Sequence, residues 1–188
     1  APTLIDADLG ALIELPDPIR VTLLGQIASE LPTKQLGLVK LHLDSLGSFN
    51  LSEMSLAIDA PLYDSWMVGY TLSGSLAIRA SFGSEPSFLF SLGGFHPEFT
   101  APKGFPKMKP LAIGLAFDED LKIEAQSYLA LTPNTIQFGA DVVVVAKLRV
   151  LTLEGGAAFH VLVNFSPFSF DPDFDAFAAV LVGCKELV

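Results

Sequence analysis

The chain is poor in the residues that usually carry chemistry. It has one cysteine and three histidines in 188 residues. Cys184 has no second cysteine to pair with, so no internal disulfide can staple the fold and the redox compartment cannot be read. The three histidines, His42, His96 and His160, sit in separate segments. None has the close His or Cys spacing that a zinc site requires. Positive charge is also scarce: Lys and Arg number 11 against 21 Asp and Glu, a net charge of -10. That balance excludes nucleic acid as a partner, because phosphate binding calls for a basic patch. No apolar run comes near the ~18 residues of a membrane-spanning helix, and windows with helical apolar spacing are few.

What the chain does have is apolar residues arranged with period two. Hydrophobic residues make up 51% of it, and charged residues only 17%. Strands are expected at Leu9–Leu15, Ile19–Ser29, Leu36–Ser45, Phe49–Asp59, Trp66–Phe82 (one long strand, or two joined at Gly74) and Ser87–Leu92. More are expected at Leu111–Phe117, Leu121–Leu131, Thr135–Ala146, Leu148–Glu154, Ala157–Asn164 and Phe168–Asp171, with a last one at Ala176–Leu181. Short Pro-, Gly- and Asn-containing links join them, which implies antiparallel neighbours in a meander. The expected fold is all-β: an extended, curled antiparallel meander with almost no helix, either a partly open barrel or two packed sheets. It forms a single domain over 1–188. The stretch from Ser91 to Gly104 is the longest break and reads as a corner where the sheet is rebuilt. The echo Thr-Leu-x-Gly-x-(apolar)-Ala at Thr22, Thr71 and Thr152 suggests bending at Gly25, Gly74 and Gly155. The run Val142 to Val145 leaves no polar face, so it calls for cover on both sides or for a cavity on one.

Signatures of catalysis fail one by one. There is no Gly-x-Ser-x-Gly elbow, and no phosphate loop precedes a helix. Asp171, Asp173 and Asp175 resemble the opening of a calcium loop, but the central Gly and closing Glu are missing, which leaves an acidic link between strands. We assign no catalytic residue, metal ligand or cofactor from the sequence. The informative excess is the 15 phenylalanines. Phe90, Phe95, Phe99 and Phe105 cluster around the Gly-Gly break, and Phe159, Phe165 and Phe168 lie near the end. Core filling is the plain reading of these seven; an aromatic-lined groove for an apolar ligand is the sharper one.

Two motifs carry a resemblance. They are Leu92-Gly-Gly-Phe-His-Pro-Glu-Phe-Thr100 with Pro102-Lys-Gly-Phe-Pro106, and Tyr128-Leu-Ala-Leu-Thr-Pro-Asn-Thr-Ile-Gln-Phe-Gly-Ala140. Phe165-Ser-Pro-Phe168 and Leu15-Pro-Asp-Pro-Ile-Arg20 extend it. In these the chain resembles an uncharacterised family of large, β-rich, mainly bacterial proteins, a domain of unknown function. The resemblance implies a segment of a longer β-structure and transfers no activity. The function expected is a non-catalytic structural or binding module of a larger secreted or cell-surface assembly. Its partners would be the rest of a larger chain or further copies joined through sheet edges. The alternatives are a carrier of an apolar, lipid-like molecule, and a hydrolase whose site the sequence does not locate.

Overall fold

A computed structural model describes residues 5–16, 19–31, 38–116 and 120–182. Described strands are β1 (Asp6–Glu14), β2 (Arg20–Leu31), β3 (Val39–Asn50), β4 (Ser55–Met67), β5 (Tyr70–Ser73) and β6 (Ser75–Ser81). They continue as β7 (Ser87–Leu92), β8 (Leu111–Ala116), β9 (Leu121–Leu131), β10 (Thr135–Leu148), β11 (Leu151–Phe165) and β12 (Phe168–Val182). All are antiparallel and belong to one sheet, with no helix among the described residues. The fold is the all-β meander that the period-two pattern predicts. Of the two arrangements left open by the sequence, two packed sheets do not form: the described strands make one sheet, whose end strands β1 and β12 do not pair with each other. Pairing closes a ring through β4, β6, β7, β9, β8 and β5, which is not a regular barrel.

The ring has a simple origin. β5 and β6 run end to end along β4, and β7 and β8 run end to end along β9. In register, Leu92 faces Leu129 and Leu111 faces Ser127, so only Tyr128 remains to oppose Gly93. On the other side Leu76 faces Leu92 and Ser73 faces Ala112, while the Gly93 N–H donates to Ser75 O at 2.8 Å. One strand therefore leaves the ladder after Gly93, makes an excursion through residues 94–110, and resumes at Leu111 in the same direction. The Ser91–Gly104 stretch begins this insertion and is not a corner. The whole is ten rungs of an up-and-down meander.

Other boundaries shift for local reasons. Asn50 ends β3 because its Oδ1 accepts the backbone N–H groups of Ser52 and Glu53 at 3.0 and 3.2 Å, which forms the turn into β4. The expected strand Phe49–Asp59 is thus split by a turn. The expected strand Leu148–Glu154 is split, since Leu148 ends β10 and Arg149–Val150 form the turn; its remainder fuses with Ala157–Asn164 into β11, because Gly155 and Gly156 stay paired with Val144 and Val143. The Asp171–Asp175 run is no link: it lies inside β12, where Pro172 faces Val161 on an edge strand. The repeated Thr-Leu-x-Gly motif does not make one recurrent bend, since Gly25 and Gly155 lie within continuous ladders and Gly74 lies between β5 and β6. Leu36 and Cys184 fall outside the described residues.

Because opposed residues share a face, the register sorts the side chains across the sheet. One row runs through all ten rungs: Ala11, Leu23, Gly47, Ile58, Ile78, Phe90, Leu131, Ile136, Val163 and Phe170. The neighbouring row on the other face is Gly10, Leu24, Leu46, Asp59, Ala77, Ser91, Ala130, Gln137, Leu162 and Asp171. Extended along the strands, this sorting places every registered Asp, Glu, Lys, Arg and His on the second face. Asp64, at the irregularity in β4, has no registered partner. The first face holds no charge; its polar members are Ser29, Ser45, Ser65, Ser127 and Tyr70. We call them the apolar and polar faces.

The core is correspondingly thin. The buried hydrophobic residues among those described are Ala60, Ala77, Ala80, Leu89, Ala130 and Val161. Accessible surface is 12409 Å², against roughly 8,700 Å² for a compact folded chain of this mass. Among the described residues all strands belong to this one sheet and substantial contact between strands is confined to ladder neighbours, so no second sheet lies across the apolar face.

Candidate functional site

The excursion 94–110 covers the centre of the polar face, and the sequence shows how it is held there. Gly93 and Gly94 take φ values of 77° and 126°, which an L side chain adopts only under strain. A Cβ on Gly93 would also strike Ser127 O and sit 2.8 Å from Leu111 N. The Gly-Gly pair is therefore what lets the strand depart without breaking the ladder. Beneath the excursion the sheet has small side chains, Ala77, Ser91 and Ala130, each with no exposed surface. Ser91 Oγ donates to Gly94 O at 2.7 Å. Gln137, also fully buried, accepts the His96 N–H on Oε1 at 3.0 Å and donates from Nε2 to Thr135 Oγ1 at 3.0 Å. Thr135 Oγ1 in turn bonds Thr132 Oγ1, which accepts the Asn134 and Thr135 N–H groups and forms the Thr132-Pro133-Asn134 turn. Gln137 is thus the pin that ties the two sequence motifs together.

Phe95, Phe99 and Phe105 pack as one group above this centre, with ring centroids 5.2 Å apart in both pairs. The Arg79 guanidinium lies 5.3 Å from the centre of the Phe105 ring and bonds Asp59 at 2.9 Å. Beside them is a cavity of about 430 Å³ lined by Leu89, Phe99, Pro102, Phe105 and Pro133, with Arg79 and Lys103 also on its wall. Of the seven candidate phenylalanines, only these three come together. Phe90 points from the opposite, apolar face. Phe159 is also on that face, between Phe138 and Phe174 at centroid distances of 6.5 and 6.3 Å. Phe165 and Phe168 face each other at the β11–β12 turn, and both are exposed.

The histidines, scattered in sequence, partly converge. His96 and His160 approach to 6.0 Å, edge to face. His160 is held between the Tyr128 hydroxyl, 3.2 Å from Nδ1, and Asp141, 3.4 Å from Nε2. Tyr128 and His160 flank Gly139 in register, and a Cβ there would lie 2.7 Å from the Tyr128 ring. Gly139 makes room for the pair. Burial, with a smaller push from Asp141, raises the Tyr128 hydroxyl to about 12. Pairing of His160 with Asp141 and Tyr128 was not legible, since only the register of three strands brings them together. His42 sits on the polar face, against Tyr63. Among the described residues no group of three His, Cys, Asp or Glu could hold a metal ion.

The apolar face is the larger feature. Its side chains include Phe138, Phe159 and Val142, each nearly two-fifths exposed, and Phe174, 75% exposed. The Val142–Val145 run divides between faces: Val142 and Val144 lie on the apolar one, Val143 and Val145 opposite Glu124 and Lys122 on the polar one. No second sheet covers either side of it among the described residues.

Comparison with curated proteins finds no match, and comparison with solved structures finds none. The family comparison does find one, over residues 1–188: DUF6603, a family of unknown function. The chain belongs to that family.

Proposed function

We propose that this chain is a non-catalytic structural and binding module of a larger assembly, and that its apolar sheet face is the working surface, closed by a second apolar protein layer. One observation carries the reading: a row of uncharged side chains crosses all ten rungs, while large members of that face remain exposed. A sheet buries one face against another element, and contiguous bare apolar surface of this extent marks an interaction site. The test uses adjacent residues on opposite faces. Val142→Lys is expected to change both the binding of the apolar dye ANS and the association state. Val143→Lys is expected to change neither, with far-UV circular dichroism confirming that both variants fold. Equal effects from the two would sink the reading.

A second reading, a carrier of an apolar molecule, is favoured by the cavity beside Phe99 and Phe105. Its volume of about 430 Å³ lies within the range of small-molecule sites, about 300–1,000 Å³. Native mass spectrometry of protein purified from cells, followed by solvent extraction, separates the two. A stoichiometric acyl-chain ligand supports the carrier, and ligand-free protein supports the module.

A further inference from the structure

We infer that the layer covering the apolar face is a second copy of this chain, packed face to face about a two-fold axis. This rests on the reading of that face as a docking surface, and four observations lead to it.

The first is size. Ten rungs about 4.8 Å apart, with a dozen residues each at about 3.4 Å, present a face of roughly 1,800 Å². Obligate dimers bury about 1,000–2,500 Å² on each partner, so a single partner of this size suffices. The second is charge. A partner must be as free of charge over the same area, because an unpaired ion buried there costs several kcal/mol, about 100-fold or more in affinity. A copy meets that requirement by construction. The pairing also keeps the acidic residues of the two chains, each with net charge -10, on opposite outer surfaces.

The third is shape. A two-fold interface must be complementary to itself. Phe138, Phe159 and Phe174 form a ridge across β10–β12. Immediately beside it is a depression of about 390 Å³, floored by Ala140, Val142, Ala157 and Ala176; Asp175, which the register assigns to the polar face, also borders it. Ridge and trough on the same surface allow each copy to seat its phenylalanines on the alanines of the other. The fourth concerns the edges. β1 carries Asp6, Asp8 and Glu14, and β12 carries Asp171, Asp173 and Asp175 with Pro172 among them. Joining β12 of one copy to β1 of the next would set acid beside acid, and Pro172 has no N–H to offer a further strand. Face-to-face packing is thereby favoured over the edge-to-edge joining expected from sequence.

Sedimentation equilibrium on the purified chain, with native mass spectrometry on the same samples, tests this. The wild type is expected to be a dimer with little ANS binding. Val142→Lys, and Ala157→Trp, which fills the trough without adding charge, should each raise the dimer dissociation constant by about 100-fold or more and raise ANS binding. Val143→Lys should leave the dimer intact. A wild-type monomer that binds ANS, with Val142→Lys reducing that signal, would overturn the second copy while the docking surface stands. A monomer carrying acyl lipid displaced by Val142→Lys would overturn the copy in favour of a lipid occupant. If Val142→Lys and Val143→Lys behave alike in both readouts, the copy and the docking surface fail together.

Discussion

The two faces of the sheet share one backbone and meet burial in opposite ways. The polar face is covered at its centre by its own chain: residues 94–110 leave the ladder, lay three phenylalanines over small side chains, and are fastened by Gln137. The apolar face receives no such cover from the described residues, although it has the greater need. Cover on the polar face is local, specific and hydrogen-bonded, so it sets one geometry. The apolar face is broad, uncharged and non-directional, which suits it to burying area more than to reading chemical detail. The chain thus covers the centre of one face by itself, and the proposed function assigns the cover of the other to a partner.

The comparison breaks most violently at the point where the excursion departs. Gly93→Val places a branched side chain at a positive φ and against Ser127 O and Leu111 N. Strain of about 1–3 kcal/mol from the backbone alone adds to a clash with ladder atoms that cannot move aside. The expected result is a loss of about 3 kcal/mol or more, seen in urea unfolding. Gly104, also at positive φ but with open space around it, serves as the contrast. Gly104→Val carries the strain without the clash, so it should cost clearly less. Equal losses would mean that close approach at Gly93 is not what the Gly-Gly pair serves.

These two glycines also show what sequence reading could and could not see. The all-β class, the meander, and the Thr-Pro-Asn turn follow from period two and from turn residues, which act over a few positions. The excursion was visible as a break but read as a corner. Whether a strand turns or resumes depends on register with β6 and β9, and register is a property of pairs. The Asp171–Asp175 run looked like a link because Asp and Pro disfavour strands, yet an edge strand with one solvated side accepts both. The phenylalanine clusters were seen as neighbours along the chain. In the sheet, strand alternation sends Phe90 and Phe159 to one face, while Phe95, Phe99 and Phe105 reach the other through the excursion. Nothing local announced that charge would be absent from an entire face. That emerges only when ten rungs are aligned.

A smaller effect is expected at the pin. Gln137→Leu keeps the volume but removes both side-chain hydrogen bonds, leaving the His96 N–H without its buried acceptor. An orphaned buried group of this kind costs about 1–3 kcal/mol. Stability should fall by that amount, and hydrogen exchange should quicken at His96 and Phe99 on the polar face while β10–β12 stay protected. Uniform exchange across both faces would show that Gln137 stabilises the sheet at large instead of fastening its cover.

The smallest effect is a titration on the covered side. With its hydroxyl raised to about 12 by burial and by Asp141, against an unperturbed value near 10, Tyr128 holds its proton more tightly in the folded chain than in the unfolded one. Between those values the folded state binds more protons, so this contribution to stability is complete below about pH 10 and is lost as pH rises towards 12. Absorbance at 295 nm should show a late-ionising phase that Tyr128→Phe removes. The variant should also flatten the decline in unfolding free energy over that window. The group is only partly buried, so solvent screening keeps the change in stability modest. If the late phase persists in Tyr128→Phe, the stacked Tyr128–His160 pair is more open to water than its place across Gly139 implies, and the covered region of the polar face ends short of it.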